Sequence, residues 1–163
     1  MAEPVIREVK PEDVEAACDI AAAAWEPVFA SFRQMMGDEL FGIACRDWRG
    51  QKAQQVREAC QAAGGAMVGV AELAGRVVGF VTFYANEESR IGEISNNAVH
   101  PQFQGRGIAP KMYGHVFARL RELGMLYVKV CTGGDPAHAP ARRAYEKAGF
   151  STRLPGLEYY RKL

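Results

Sequence analysis

Gln104-Gly105-Arg106-Gly107-Ile108-Ala109 is the stretch whose residue types could do chemistry, and the chemistry is phosphate binding. Two glycines one residue apart let the backbone adopt φ > 0 and approach a ligand closely. Pro110 suits the first turn of a helix, where its missing N–H would have no partner anyway. Amides of that turn lack intrahelical acceptors, and the helix dipole favours an anion beside them. Arg106 and Lys111 add positive charge. A pyrophosphate site is one reading of the loop. A plain strand–helix connection, which often uses glycine, is the other.

Such a loop needs a strand before it and a helix after it. Ile91 to Val99 reads as the strand, although Asn96-Asn97 is poor strand chemistry and points to a bulge. Met112, Val116 and Leu120 recur at helical spacing in the segment that follows, which runs to Glu122 or Leu123 and stops at Gly124. Leu126 to Thr132 is the next strand. Strand, helix, strand in that order makes two parallel neighbours, with a ligand expected beyond their carboxyl ends.

Upstream, Val5 to Val9 alternates as a short strand does. A helix begins near residue 11, and Pro27 should end or kink it. Residues 26 to 45 carry many aromatics and methionines without a clear period. A second helix spans about Asp47 to Ala62. Ala66 to Leu73 and Val77 to Tyr84 form a hairpin through Ala74-Gly75-Arg76. Downstream, a helix covers Ala139 to Ala148. Phe150 to Leu154 and Glu158 to Arg161 read as a final hairpin turning at Pro155-Gly156. This order predicts the α/β (α+β) class, with a mixed, mostly antiparallel, twisted sheet flanked by helices. No repeat or long linker divides the chain, so residues 1–163 are expected to form a single domain.

Composition is ordinary, at 48% hydrophobic and 24% charged residues, and the formal net charge is +1. No global field recruits nucleic acid or an anionic membrane, so recognition by charge must be local. The four cysteines and three histidines show no zinc-ligand spacing, and no metal is expected. Met1-Ala2-Glu3-Pro4 lacks a basic region followed by an apolar run, and Glu72 and Arg76 interrupt the most apolar segment. A cytoplasmic location follows as the expectation.

Three pieces of the chain resemble the GCN5-related N-acetyltransferase (GNAT) superfamily. Gln104 to Ala109 fits that family's Arg/Gln-x-x-Gly-x-Gly/Ala loop for acyl-CoA. Asn97-Ala98-Val99-His100-Pro101 before it is similar to the family's strand end. Ala144-Tyr145-Glu146-Lys147-Ala148-Gly149-Phe150 is similar to its Leu-Tyr-Glu-Lys-x-Gly-Phe helix end. The resemblance covers essentially the whole chain. It implies acetyl-CoA, or another short acyl-CoA, as co-substrate, bound where the strands Ile91–Val99 and Leu126–Thr132 splay apart. It also implies pyrophosphate contacts from Gln104, Gly105, Arg106, Gly107, Ile108 and Ala109, and strand-like pairing of Ala98 and Val99 with the pantetheine arm. Where the family often places an Asn seven residues before the Tyr, this chain has His138, which can also donate or accept.

The implied reaction is direct acetyl transfer to a primary amine in a ternary complex. Tyr145 is the general-acid candidate for the departing thiolate, and it borders the cofactor. Glu93 resembles in position the base of the histone-acetylating branch, and shares the face of Val99 only if the bulge does not shift the phase. Water, Glu72, Glu87 and Glu88 stay open as alternatives. His100 reads as a turn cap or a base. Trp25, Phe29 and Phe32 are candidates for contacting the acceptor, a small-molecule or peptide amine. A homodimer stays open, as does an acyl-CoA-binding sensor or interaction module of the same fold without significant catalysis.

Overall fold

The computed structural model, which describes residues 3–163, is organised around one five-stranded sheet of order β1-β2-β3-β4-β5. The strands are β1 (Val5–Glu8), β2 (Met67–Leu73), β3 (Arg76–Asn86), β4 (Ile91–Val99) and β5 (Tyr127–Val130). The first four pair antiparallel; β4 and β5 pair parallel. A parallel pair needs a long crossover, and α3 (Ile108–Glu122) supplies it. Leu73 pairs with Arg76 across Ala74 and Gly75, whose φ values of 51° and 77° give the two-residue turn favoured in hairpins.

Helices cover both faces of the sheet. Ile108, Met112, Val116 and Leu120 of α3 pack against Val81, Phe83, Ile94 and Val99. On the opposite face, Ala17, Cys18, Ile20 and Ala21 of α1 (Val14–Ala44) meet Val56 of α2 (Trp48–Cys60), with Val70, Phe80 and Ala98 beneath. The last helix is α4 (Ala139–Lys147).

Two expectations are corrected here. The first helix runs on through Pro27 and breaks instead at Gly37, which sits at φ 77°, ψ 164°. Pro27 is exposed, so the Ala23 carbonyl that loses its partner lies on the solvent side, while the buried alanines upstream hold the helix to the sheet. The C-terminal hairpin does not form. Residues 151–163 contain no strand and are exposed throughout, Leu154 to 95% and Leu157 to 82%. Pro155-Gly156 is a local turn signal, but a lone two-stranded hairpin is marginal without a surface to pack on. Among the described residues, two ion pairs tie the tail down, Arg153–Glu146 at 3.2 Å and Lys162–Glu39 at 2.6 Å.

One ion pair fastens β1 to the short turn Pro11–Asp13 that leads into α1. Asp13, 5% exposed, takes two bonds from Arg7 at 2.6 and 3.0 Å and one from the Lys10 amide at 2.7 Å. The Arg7 hydrogen bonds hold the Asp13 carboxyl below its ordinary range. A depressed carboxyl contributes stability that is present above its unfolded value of about 3.9 and is lost as pH falls through the folded value. Asp13→Asn should therefore cost about 2 kcal/mol at neutral pH, as expected for breaking a partly buried, charge-assisted bond. Urea unfolding should show that difference shrinking below about pH 4.

Candidate active site

The site begins where β5 stops following β4. The two strands pair from Ile91↔Tyr127 to Ile94↔Val130, and Ser95–Val99 continue without a β5 partner. A bulge falls at the same place, with Ser95 and Asn96 standing opposite Thr82. Thr82 is fully buried; its Oγ1 accepts from the Asn96 amide at 2.9 Å and donates to the Asn96 carbonyl at 3.2 Å. The bulge's stray backbone groups are thereby satisfied without a neighbouring strand.

The extra residue shifts the phase of β4. Gly92 faces α3, where a Cβ would meet Leu120 at 2.5 Å, and Ile94 and Val99 share the α3 core although five positions apart. Glu93 and Asn96 face the α2 side, and Asn97 faces α3. Glu93 and Val99 consequently lie on opposite faces of the sheet. The His100 amide bonds the Val78 carbonyl at 2.8 Å. By the alternation of an antiparallel ladder, Ala98 turns its backbone groups to β3, whereas Asn97 and Val99 turn theirs to the splay. The Val99 carbonyl there accepts from Gln104 Nε2 at 3.1 Å.

Past the splay, Gly105 and Gly107 sit at φ 75° and 74°, and Gly107 immediately precedes α3. His100 Nδ1 accepts from the Gln102 amide at 3.2 Å, capping the short turn Pro101–Phe103. Arg106 donates to the Gln102 carbonyl at 3.2 Å and lies 5.1 Å from the Phe103 ring. Lys111 pairs with Glu3 at 3.0 Å. The amides of Ile108 and Ala109 open the helix with no intrahelical acceptor, and Arg106 is the cation within the loop. This donor set fits a pyrophosphate, and the Asn97 and Val99 edges fit an arm of amide groups running down to it.

Tyr145 of α4 reaches the same gap from the α3 side. Its Oη accepts from Asn97 Nδ2 at 3.0 Å, and Tyr113 of α3 donates to Asn97 Oδ1 at 3.0 Å. Tyr113 thus sets the amide's orientation, and the amide occupies a lone pair of Tyr145, leaving the Tyr145 proton for another acceptor. Burial, partly offset by the Asn97 donor, raises the Tyr145 hydroxyl above its ordinary value. The Asn97 side chain and Tyr113 were not among the residues singled out from sequence. Their only signals were a polar residue at a bulge and a tyrosine beside the apolar stripe of α3.

At the carboxyl end of β5, His138 precedes α4 and pairs through Nδ1 with Asp135. Asp135 also accepts from Ser31 at 3.2 Å and from the Ala137 amide at 3.0 Å. Burial pushes the Asp135 carboxyl up, but these partners outweigh it and hold it low. A Cβ on Gly133 would clash with Asp135 Oδ1 and His138 Nδ1, so a larger residue there would displace the pair. Phe32 lies 5.9 Å from the His138 ring, and Phe29 meets Phe32 edge-on at 5.5 Å while stacking on Trp48 at 4.3 Å.

Across the sheet, on the α2 side of the bulge, lies a cavity of about 330 Å³ bordered by Lys52, Glu58, Tyr84, Ser95 and Asn96. Trp25 flanks it, with the Lys52 ammonium 4.8 Å from its ring. Glu93 faces the same side opposite Tyr84 and pairs with Lys129 at 2.9 Å. Among the described residues, no His, Cys, Asp and Glu cluster could hold a metal ion, and no helix is long and apolar enough to cross a membrane.

Solved proteins of similar fold include two that were determined with coenzyme A bound. A family model described as the acetyltransferase (GNAT) family matches residues 30–150. The PaiA N-acetyltransferase from Thermoplasma acidophilum, solved with coenzyme A, superposes with a TM-score of 0.74 at 14% identity, over 93% of this chain and 91% of its own. A transcriptional regulator from Bacillus halodurans gives 0.67 at 18% identity, over 97% and 99%. The aminoglycoside N-acetyltransferase AAC(6')-Iy, solved with CoA, gives 0.65 at 15% identity, over 100% and 97%. No curated protein matches the chain.

Proposed function

Because the chain belongs to the acetyltransferase (GNAT) family, we propose that it moves an acetyl group from acetyl-CoA to a primary amine by direct transfer in a ternary complex. The observation that carries this reading is the gap between β4 and β5, with the glycine loop at one end and the Tyr145 hydroxyl inside it. Acetyl-CoA supplies the acetyl group as a thioester with a thiol leaving group. In this reading Gln104 to Ala109 hold the pyrophosphate through backbone donors and Arg106. The Val99 N–H faces the thioester oxygen as its charge develops, with Ala98 bracing that strand end against β3. His138, held by Asp135, borders the arm from α4.

The bulge divides the chemistry between the two faces. Tyr145 keeps a proton for the sulfur on the α3 side. Glu93 takes the amine's proton on the α2 side, where the cavity and Trp25 lie. An alkyl ammonium has a pKa of about 10, so a base is needed near neutrality. Phe32 stays with His138 at the rim of the acceptor region, and Phe29, edge-on to Phe32 at 5.5 Å, supports it.

Calorimetry with acetyl-CoA beside a thiol-release assay on an amine panel tests the reading. Binding together with amine-dependent thiol release is expected. Tight binding with no release on any amine would favour an acyl-CoA-binding module instead.

A further inference from the structure

Lys52 is a half-buried basic side chain that the reaction just described does not use. It lies on the inner face of α2, and its ammonium bonds two neutral oxygens, Gln55 Oε1 and Asn96 Oδ1, each at 3.1 Å. No carboxylate pairs with it among the described residues, unlike Arg7, another half-buried cation of this face, which Asp13 and Glu72 hold. Burial pulls its pKa below the ordinary lysine value. A desolvated cation without a counter-charge is costly, and a bound anion reverses that cost.

Its place relates that anion to the reaction. Asn96 belongs to the bulge, which begins one residue after the last β4–β5 pair. Lys52 therefore stands at the mouth of the splay, on the face that Glu93 shares and across the sheet from Tyr145. An ammonium has three donors; two are used, and the cavity lies beside it. Glu58 on the same rim opposes a dianion such as phosphate, so a single negative charge fits better.

Resting on the acetyl-transfer reading, we propose that the acceptor is an amine that carries a carboxylate, and that Lys52, oriented by Asn96 and Gln55, binds that carboxylate in the cavity between α2 and the β4 bulge. The amine is thereby positioned toward Glu93 and the splay. The same ammonium disfavours polycationic acceptors, which would bring like charge into a poorly solvated site.

The test is steady-state acetylation of α-amino acids against the amines left by their decarboxylation, in wild type and in Lys52→Met, Lys52→Arg and Lys52→Glu. For wild type, kcat/KM should favour the amino acid by about 30-fold, the size of a charge-assisted bond in a partly dry site. Lys52→Met should bring the ratio near unity through KM, with the acetyl-CoA Kd unchanged. Lys52→Arg should retain part of the preference, and Lys52→Glu should invert it. A ratio that Lys52→Met does not alter, or a wild type that prefers the decarboxylated amines, overturns the proposal while leaving acetyl transfer intact. If no acceptor turns over, the acetyl-transfer reading fails, and titration of the CoA-saturated protein with an N-acetyl amino acid still reads the anion site. Binding lost in Lys52→Met upholds that site; equal binding in both, or none in wild type, overturns it.

Discussion

Tyr145→Phe should lower kcat about 100-fold while acetyl-CoA binds as before. The ring is a packing element, 5.6 Å from Tyr113 and 5.8 Å from Phe150, and Phe keeps those contacts. What leaves is the one proton that the Asn97 bond does not engage. General acids contribute roughly 10²- to 10⁴-fold. The low end applies because a thiol, with a pKa of about 8.5, is a tolerable leaving group. The loss also leaves Asn97 Nδ2 with only the 3.5 Å contact to the Ser95 carbonyl, which costs about 1 kcal/mol of stability. The readouts are kcat at saturating amine, the calorimetric Kd for acetyl-CoA, and the dependence on the thiol. The deficit should shrink for acyl donors with more acidic thiols. An unchanged kcat would remove Tyr145 as the acid.

Gly107→Val should raise the Kd for CoA about 30-fold. Gly107 sits at φ 74°, ψ 14°, and a Cβ there would meet nothing within 4 Å. The obstacle is thus the backbone conformation alone. A left-handed residue costs about 1–2 kcal/mol, and a β-branched one more; about 2 kcal/mol corresponds to roughly 30-fold. The variant should relieve that strain by swinging the Ile108 and Ala109 amides away from the proposed pyrophosphate position. Pantetheine, which lacks the pyrophosphate, should bind both proteins alike. Gly107→Asn should lose less, since Asn tolerates the left-handed region. Equal losses for CoA and pantetheine would show a general unfolding of the site instead.

Much of this arrangement was legible because its causes are local. The ends of β4, the Ala74-Gly75 turn and the start of α4 follow from apolar alternation, turn chemistry and Pro140. The bulge was announced by Asn96-Asn97. Its consequence was not, because the residue that stabilises it, Thr82, lies on another strand. The Glu93 face therefore depended on a contact no local pattern carries. No local pattern distinguishes Lys52 on a polar helix, because Asn96 and Trp25 beside it belong to other elements. The course of α1 past Pro27 was set by helix packing upstream of the proline. The tail failed for the opposite reason, having hairpin residues but no surface to pack on.

Isotopically labelled acetyl-CoA measures the central claim most directly. The protein is mixed with the label and an amine that releases thiol, and mass spectrometry locates the label in protein, amine and water-derived acetate. Direct transfer predicts label on the amine nitrogen in proportion to free thiol, with unlabelled protein throughout and a rate reduced in Tyr145→Phe. Label accumulating on the protein, or appearing only as acetate while the amine stays unmodified, would contradict it.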